Sequence, residues 1–223
     1  MIKLDLHIHS MYSEDANGSA KEIKKFLQKK GLHGMAITDH NAIKGGKIAQ
    51  KVTSSDFIVI PGVEISTSDG HLLAYNISKE ITKNLSVEET VEKVLDDGGL
   101  PIVPHLYRNM SGIKEQKLKP LVSKISAIEV YNSCSLPKTN LKTAEIARKY
   151  NLGGTGGSDS HEPAYAGNAY TLVNTTDFHI DTILSEIEKK KTWGKGITLP
   201  LSYRQDRMML SIKQFFQRGL KRI

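Results

Sequence analysis

The stretch Leu4-Asp5-Leu6-His7-Ile8-His9-Ser10 decides the fold, because it combines a β-strand pattern with two histidines that are two positions apart. Side chains at positions i and i+2 of a strand point to the same face. His7 and His9 are therefore expected to converge on one side of the first strand. Two histidines that only make hydrogen bonds would explain an isolated pair equally well, so the rest of the chain has to decide.

Short strand patterns recur along the chain with helical patterns between them, which indicates repeated βα units. Two of the intervening segments carry capping boxes, Ser19 with Glu22 and Ser86 with Glu89, and are expected to be helices. Gly153-Gly154 is expected to end a helix as a turn. This order predicts an α/β fold of the parallel βα-barrel type. The predicted strands are 2–8, 35–38, 57–65, 71–77, 101–104, 127–131 and 169–173.

The composition is that of one globular unit, with 223 residues, 39% hydrophobic and 25% charged. We expect a single domain over residues 1–200, followed by a C-terminal segment over residues 201–223. The chain has no apolar run of roughly 18 residues and no signal-peptide pattern at its start, so we expect a soluble, cytoplasmic protein without a transmembrane segment. Cys134 is the only cysteine, which excludes an internal disulfide and thiolate zinc sites. Any metal must rely on His, Asp and Glu.

Six of the eight histidines lie at predicted strand ends, an arrangement that chance rarely produces. His33 and His179 lie elsewhere, and we assign them no role in a site. Imidazoles and carboxylates without thiolates suit zinc, manganese or iron. The groups outnumber the donors that one ion takes, which predicts two or three ions and a bridging carboxylate. The strand-end groups are His7, His9, His40, Glu64, His71, His105, Asp159 and His161.

Seven segments between Leu4 and His161 together resemble the PHP (polymerase and histidinol phosphatase) family. The resemblance implies a distorted (β/α)7 barrel with a trinuclear metal site at the carboxyl ends of its strands. It also implies a metal-dependent phosphoesterase. The segments are D-L-H-I-H-S with S-E-D shortly after it, A-I-T-D-H-N, P-G-V-E-I-S, H-L-L-A-Y, V-P-H, I-E-V-Y-N and G-S-D-S-H.

Carried over to this chain, the resemblance implies nine metal ligands. Both Glu14 and Asp15 fit the spacing of one carboxylate, and Asp15 is favoured. His71 has an alternative role as a strand-end histidine that faces solvent. The resemblance groups the ligands as His7, His9, Glu64 and Asp159 for one ion, Glu64, His71 and His105 for a second, and Asp15, His40 and His161 for a third.

Further polar residues adjoin these ligands. A ligating histidine needs an acceptor for its other ring nitrogen, and Asp5 and Asp39 are candidates, although Asp39 fits a purely structural role equally well. Glu129 and Asn132 end another strand and are interpreted as groups that orient ligands. Cys134 has no apparent activating base and is interpreted as structural.

The function implied is hydrolysis of a phosphate ester, most simply a small phosphomonoester, by a metal-bridging hydroxide. His7, His9, Glu64 and Asp159 would support the reaction, and Arg108 would clamp the phosphate, unless it is a solvated surface arginine. Lys138 is a weaker candidate for the same role. The alternatives are a nuclease that acts on single-stranded ends and a metal-poor binding scaffold, and the complete ligand set argues against the scaffold.

The C-terminal segment holds most of the positive charge, because Arg204 to Arg222 contributes five of the seven net charges. Its apolar residues recur at helical spacing, which predicts a basic amphipathic helix. Three roles are open: packing on the barrel, binding of nucleic acid or another polyanion, and attachment to anionic lipid. The apolar side would carry Met208, Met209, Ile212, Phe215, Phe216 and Leu220, and the basic side Arg207, Lys213, Arg218, Lys221 and Arg222.

Overall fold

The structure, a computed structural model, describes residues 1–217 and 219, except for the side chains at 207, 208, 211, 214 and 215. The described chain forms an α/β fold of strands and surrounding helices. The strands are β1 (Ile2–Ile8), β2 (Gly34–Ile37), β3 (Ile58–Thr67), β4 (Gly70–Tyr75), β5 (Leu100–Ile102), β6 (Ala127–Asn132), β7 (Gly153–Gly157), β8 (Ala169–Val173) and β9 (Thr192–Gly196). The α-helices are α1 (Ala20–Lys29), α2 (Lys44–Ala49), α3 (Val87–Asp96), α4 (Glu115–Leu118), α5 (Pro137–Lys149), α6 (Ile180–Glu188) and α7 (Leu201–Gln217).

The first seven strands follow one another around a ring. A seven-stranded sheet has the order β5-β4-β3-β2-β1-β8-β9, and β6 pairs with β7 in a second sheet. Two isolated parallel bridges join the sheets, Val103 with Ile128 after β5 and Ile8 with Ser160 after β7. The predicted distorted (β/α)7 barrel is therefore confirmed, as one domain.

The prediction that all strands are parallel is wrong for β4, β8 and β9. Strand β4 is antiparallel to β3 and β5, and β8 is antiparallel to β1 and β9. Only Ser68 and Asp69 separate β3 from β4, and a parallel connection needs a crossover of a dozen or more residues. As a result, the first residues of β4 lie at the same edge of the sheet as the last residues of β3 and β5.

The two predicted capping boxes are present. The Ser19 side chain accepts from the Glu22 amide at the start of α1, and Ser86 does the same with Glu89 at the start of α3. Both helices turn an apolar side towards the sheet, which fixes the outer layer of the barrel. The buried residues of these helices include Ile23 and Leu27 in α1 and Val91 and Val94 in α3.

Strand β1 changes face along its length. Leu4 and Leu6 pack in a core with residues of β3, β4, β5 and α6, whereas Ile8 packs with α1. Simple alternation would put all three on one side, but the register of β1 against β2 shifts between Asp5 and Ile8. Because of this shift, the side chains on the barrel side above Leu6 are His7 and His9.

Strands β7 and β9 are absent from the predicted set, and their glycines explain why. Strand β7 reads Gly-Gly-Thr-Gly-Gly, a composition with low strand propensity, and its first two glycines predict a turn instead. A Cβ atom at Gly194 of β9 would lie 2.2 Å from the Thr155 carbonyl oxygen. The glycines therefore allow the backbones of β7 and β9 to approach each other closely.

Helix α7 begins on the barrel and then leaves it. The Arg204 guanidinium donates to the Ser135 carbonyl, and the Tyr203 ring lies 4.1 Å from that of Tyr165. Met209 and Ile212 are 61% and 42% exposed, so the alternative of packing on the barrel is wrong for them. The other residues assigned to the two sides, apart from Lys213 and Phe216, lie outside the described side chains. No described helix combines the length and apolar character needed to cross a membrane.

Candidate metal centre

The polar residues predicted from strand ends converge on one edge of the barrel. Strand β1 carries His7 and is followed directly by His9, and β3 carries Glu64. The reversed direction of β4 brings His71, its second residue, to the same edge. The remaining members follow β2, β5 and β7, and are His40, His105, Asp159 and His161.

Glu64 lies at the centre of this cluster and is buried. Its Oε1 atom is 2.8 Å from His105 Nε2 and 2.9 Å from His71 Nδ1. Donor atoms that share one ion at about 2.1 Å lie about 3.0 to 3.4 Å apart, so the contacts of Oε2 have the spacing of metal ligands, whereas those of Oε1 have the length of hydrogen bonds. The contacts of Oε2 are His9 Nε2 at 3.2 Å, His40 Nδ1 at 3.3 Å and His7 Nε2 at 3.4 Å.

Asp159 completes the group formed by His7, His9 and Glu64. Its Oδ1 atom is 3.4 Å from His9 Nε2 and 3.6 Å from His7 Nε2. The Asp159 backbone has a φ of +53°, a sparsely populated conformation for a non-glycine residue, and its amide donates to the His7 carbonyl. This contact holds the carboxylate over the end of β1.

Asp15 lies near both histidines of the third predicted group. Its Oδ2 atom is 3.0 Å from His161 Nε2 and 4.0 Å from His40 Nε2. Glu14, the alternative carboxylate, is exposed. His40 lies between two groups, because its Nδ1 atom faces Glu64 while its Nε2 atom faces Asp15.

Hydrogen bonds fix which nitrogen of three histidines faces the cluster. Nδ1 of His7 lies 2.9 Å from Glu129 Oε1, Nδ1 of His161 lies 3.0 Å from the Asp159 carbonyl, and Nδ1 of His9 lies 3.2 Å from Ser13 Oγ. When Nδ1 donates to these oxygens, Nε2 keeps its lone pair for an ion. Glu129 therefore occupies the orienting position that we expected, and Asn132 supports it with a hydrogen bond of 2.9 Å.

Several buried ring nitrogens of the cluster lack hydrogen-bond partners, as is expected of atoms that bind a metal ion. Nε2 of His7 and of His9 and Nδ1 of His40 are buried and make no hydrogen bond. Buried polar atoms without partners are rare in proteins, because their desolvation is not compensated. A divalent cation between Glu64 and these nitrogens would satisfy all of them. Residues of this cluster could therefore hold metal.

The pKa values of the histidines divide them into two classes. Burial, with a contribution from the Arg108 charge, lowers the pKa of His105 to about 4, and burial also holds the pKa of His40 well below its usual value. Burial also lowers the pKa of His9, but the carboxylates of Asp159 and Glu64 outweigh it and raise that pKa to about 9. At neutral pH the first two are ready to bind a cation, whereas His9 must first lose a proton.

The prediction that Asp5 and Asp39 accept hydrogen bonds from ligating imidazoles is wrong. Asp5 accepts from the backbone amides of Ser158 and Gly167 and so ties β1 to the chain after β7. Asp39 accepts from the amide and hydroxyl of Ser10, which is the structural alternative. Both carboxylates accept hydrogen bonds from neighbouring loops, because the ring nitrogens of the proposed ligands face other partners.

Ser13 is a member of the site that the sequence did not single out. Its hydroxyl oxygen accepts from the His40 amide at 2.9 Å and lies 3.2 Å from His9 Nδ1. A single buried hydroxyl therefore links two of the predicted ligands, His9 after β1 and His40 after β2. Its sequence signal is its place as the first residue of the S-E-D segment, in which only the two carboxylates are candidate ligands.

Arg108 reaches the cluster from the loop after β5. One guanidinium nitrogen lies 2.6 Å from Asp159 Oδ2 and the other donates to Asn132 Oδ1 at 2.7 Å. Its side chain remains 27% exposed, so part of the guanidinium faces the solvent side of the site. Lys138 lies exposed on α5, and Cys134 is half-buried with its thiol 3.5 Å from the Asp159 carbonyl.

The two histidines given no role lie outside the cluster. Nδ1 of His33 accepts from the Lys3 amide, and His179 is 85% exposed beside Asp177. Neither approaches the strand ends that carry the ligands. These two histidines are thus not part of the cluster, as expected.

Comparison with known proteins identifies the family. The PHP domain family matches residues 5–153, and the PHP-associated family matches residues 137–192. The chain belongs to the PHP domain family. The PHP chain is also 35% identical over 143 residues to the uncharacterized protein MJ1587 of Methanocaldococcus jannaschii. This match covers 59% of the chain and 82% of that relative.

Solved structures share the PHP fold at low sequence identity. One is a two-domain protein of Bacteroides vulgatus containing a predicted PHP-like metal-dependent phosphoesterase, with a TM-score of 0.75 and 16% identity over 88% of this chain and 65% of that one. Another is the lesion-specific endonuclease PfuEndoQ of Pyrococcus furiosus, with a TM-score of 0.61 and 17% identity over 84% of this chain and 56% of that one. At these identities the likeness shows the fold.

Proposed function

We propose that this PHP protein hydrolyses phosphate monoesters of small molecules with two to three divalent ions, of zinc, manganese or iron. The observation that carries the proposal is the convergence of His and carboxylate donors from separate strand ends on Glu64. Binding alone would not require so many donors around one carboxylate. The proposed ligands are His7, His9, Asp15, His40, Glu64, His71, His105, Asp159 and His161.

The residues of the chain would divide the work between them. When bound, the ions would activate water and offset the negative charge of the phosphate. Glu64 would bridge two ions, because its two oxygens face different sets of histidines. Glu129 would keep His7 in the tautomer that presents Nε2. His7, His9 and Asp159 would complete the group around the reacting phosphate.

Arg108 would orient the phosphate. Its pairing with Asp159 and Asn132 holds the planar guanidinium beside the proposed ligands, and the remaining N–H groups can donate to phosphate oxygens. A guanidinium presents donors in a rigid fork, which a lysine cannot reproduce. The arrangement therefore favours a terminal phosphate that offers several oxygens at once.

The test is a screen for phosphate release by the purified full chain with added manganese, combined with elemental analysis. The substrates would be nucleotides, sugar phosphates, amino-alcohol phosphates, phosphotyrosine and short single-stranded DNA. We expect release of phosphate from a small monoester. Hydrolysis confined to internal phosphodiesters would support the nuclease instead, and a metal-loaded protein that hydrolyses none of these esters would contradict both.

The role of Arg108 can be separated from metal binding with Arg108→Lys. We expect KM to rise at least about tenfold, because a bidentate contact is lost, while the metal content stays at the wild-type level. Arg148→Lys on the exposed side of α5 is the matched control. An unchanged KM in the Arg108 variant would assign this arginine to the surface.

A further inference from the structure

Helix α7 projects away from the barrel over most of its length. From residue 205 onwards, every described side chain of the helix is exposed. Four of the five large apolar residues with described, exposed side chains lie on one side of it, within about 80° around the axis at 100° per residue, and the fifth, Leu210, lies opposite. Their exposed fractions are 59% for Leu201, 61% for Met209, 42% for Ile212 and 66% for Phe216.

Such a helix requires an apolar surface to rest on. In water, helices of about 15 residues are marginal by themselves, and most helical stability comes from packing of an apolar side. Contiguous exposed apolar side chains rimmed by polar residues mark binding surfaces. The apolar side of α7 therefore indicates a contact that lies outside the barrel.

The net charge of residues 201–223 indicates which kind of partner the apolar side of α7 would bind. Residues 201–223 contain six Lys and Arg residues and one acidic residue, Asp206. Nucleic acid would match this charge but would leave the apolar stripe in water. A second copy would cover the stripe but would bring two strongly basic segments together. The interface of an anionic bilayer matches both features, since apolar side chains enter the acyl boundary and cations meet the headgroups.

We propose that α7 attaches the protein to the surface of membranes that contain anionic phospholipids. The helix starts beside the candidate metal centre, because the Leu199 amide donates to the Ser133 carbonyl and Arg204 donates to the Ser135 carbonyl. Ser133 and Ser135 directly follow β6, whose last residue is Asn132. Attachment through α7 would therefore tether the protein through an element that starts beside this centre.

The test is co-sedimentation of the full chain with vesicles. Vesicles of phosphatidylcholine alone are compared with vesicles that also contain phosphatidylglycerol, at low and high salt. We expect binding only to the anionic vesicles and weaker binding at high salt. Met209→Ser/Ile212→Ser and Lys213→Glu should each weaken it by at least about tenfold, through lost apolar transfer and lost attraction respectively.

Matched controls lie on other helices of the barrel. Leu141→Ser removes an apolar side chain of α5 that is 67% exposed, and Lys51→Glu reverses an exposed charge beside α2, so both should bind vesicles like the wild type. The proposal is overturned if the α7 variants bind as the controls do, or if the wild type does not sediment with anionic vesicles. It is also overturned if α7 proves to be the contact of a dimer that the Met209→Ser/Ile212→Ser variant dissociates.

Discussion

At the scale of single residues, Glu64 determines the electrostatics of the site. Burial alone would raise the pKa of this carboxyl, but the surrounding imidazoles, with His71 and His7 foremost, hold it well below its usual value. The carboxylate is therefore charged at neutral pH. An ionised group in an apolar interior needs a compensating cation, and protons on the histidines or metal ions can serve.

Ser13→Ala should weaken metal binding although Ser13 is not a proposed ligand. The substitution removes the acceptor that faces His9 Nδ1 and the His40 amide, so both imidazoles lose orientation. Loss of such supporting partners costs about 10- to 100-fold in metal affinity. A competition titration with a chromophoric chelator measures it, and Ser13→Thr, which keeps the hydroxyl, should restore most of the affinity. Wild-type affinity in the alanine variant would show that the serine is dispensable.

Metal affinity should rise with pH between about 7 and 9. In the metal-free protein His9, whose pKa is raised to about 9, carries a proton below that pH. An ion must displace this proton. Burial lowers the pKa of His7, but the surrounding carboxylates, with Asp159 and Glu129 foremost, outweigh it and hold that pKa well above its usual value too. The apparent affinity should therefore fall at least about tenfold for each pH unit below 9. Isothermal titration in buffers of different ionisation enthalpy would also report the released proton. His179→Gln at an 85% exposed position is the control, and a flat affinity over this range would contradict the assignment.

The sequence could predict most of the proposed ligands because their residue types are rare and they lie at the ends of predicted strands, and the family resemblance added Asp15. It could not predict how they are supported. The contacts of Glu129 with His7 and of Arg108 with Asp159 join residues far apart in the chain, and only the folded barrel brings them together. The orienting role is wrong for Asp5 and is the wrong one of the two alternatives for Asp39, since adjacency in sequence does not fix where a carboxylate points.

At the scale of secondary structure elements, the helices and the alternating strands were predictable, whereas β7 and β9 were not. Capping boxes and apolar periodicity are local signals, which Ser19 and Ser86 display in full. Strand β7 consists mostly of glycine and has no side chains to alternate. Its strand conformation follows from pairing with β6 and from contact with β9, which are properties of the assembled fold.

Gly194→Ala should destabilise the protein through this contact. The new Cβ atom would lie 2.2 Å from the Thr155 carbonyl oxygen and 3.0 Å from the Gly156 Cα atom, which are backbone atoms that cannot move aside. Overpacking of this kind costs about 1 to 3 kcal/mol. Urea unfolding of the metal-loaded protein measures it. Lys195→Ala on the exposed side of the same strand should change stability by no more than about 0.5 kcal/mol. Equal stability of the two variants would show that the strands can separate.

At the scale of the whole molecule, we propose that residues 1–200 form the PHP domain and that residues 201–223 are an appended segment. Deletion of residues 206–223 should therefore change the melting temperature by no more than about 2 °C, because the described side chains beyond 205 are exposed. Differential scanning fluorimetry measures this. Tyr203→Ala, which removes a ring contact with Tyr165, should lower the melting temperature more. A large drop in the deletion variant would mean that α7 belongs to the barrel.

The register shift in β1 sets a length requirement on the chain. In the first part of β1 the even-numbered residues Leu4 and Leu6 face the barrel side, whereas after the register shift the odd-numbered residues His7 and His9 face it. The irregularity between Asp5 and Ile8 is the point at which this alternation changes. Substitution of one apolar residue by another before the shift leaves this alternation unchanged, because the number of residues stays the same. Insertion or deletion of a single residue there would turn both imidazoles towards the helical layer and empty the site without removing any ligand from the sequence.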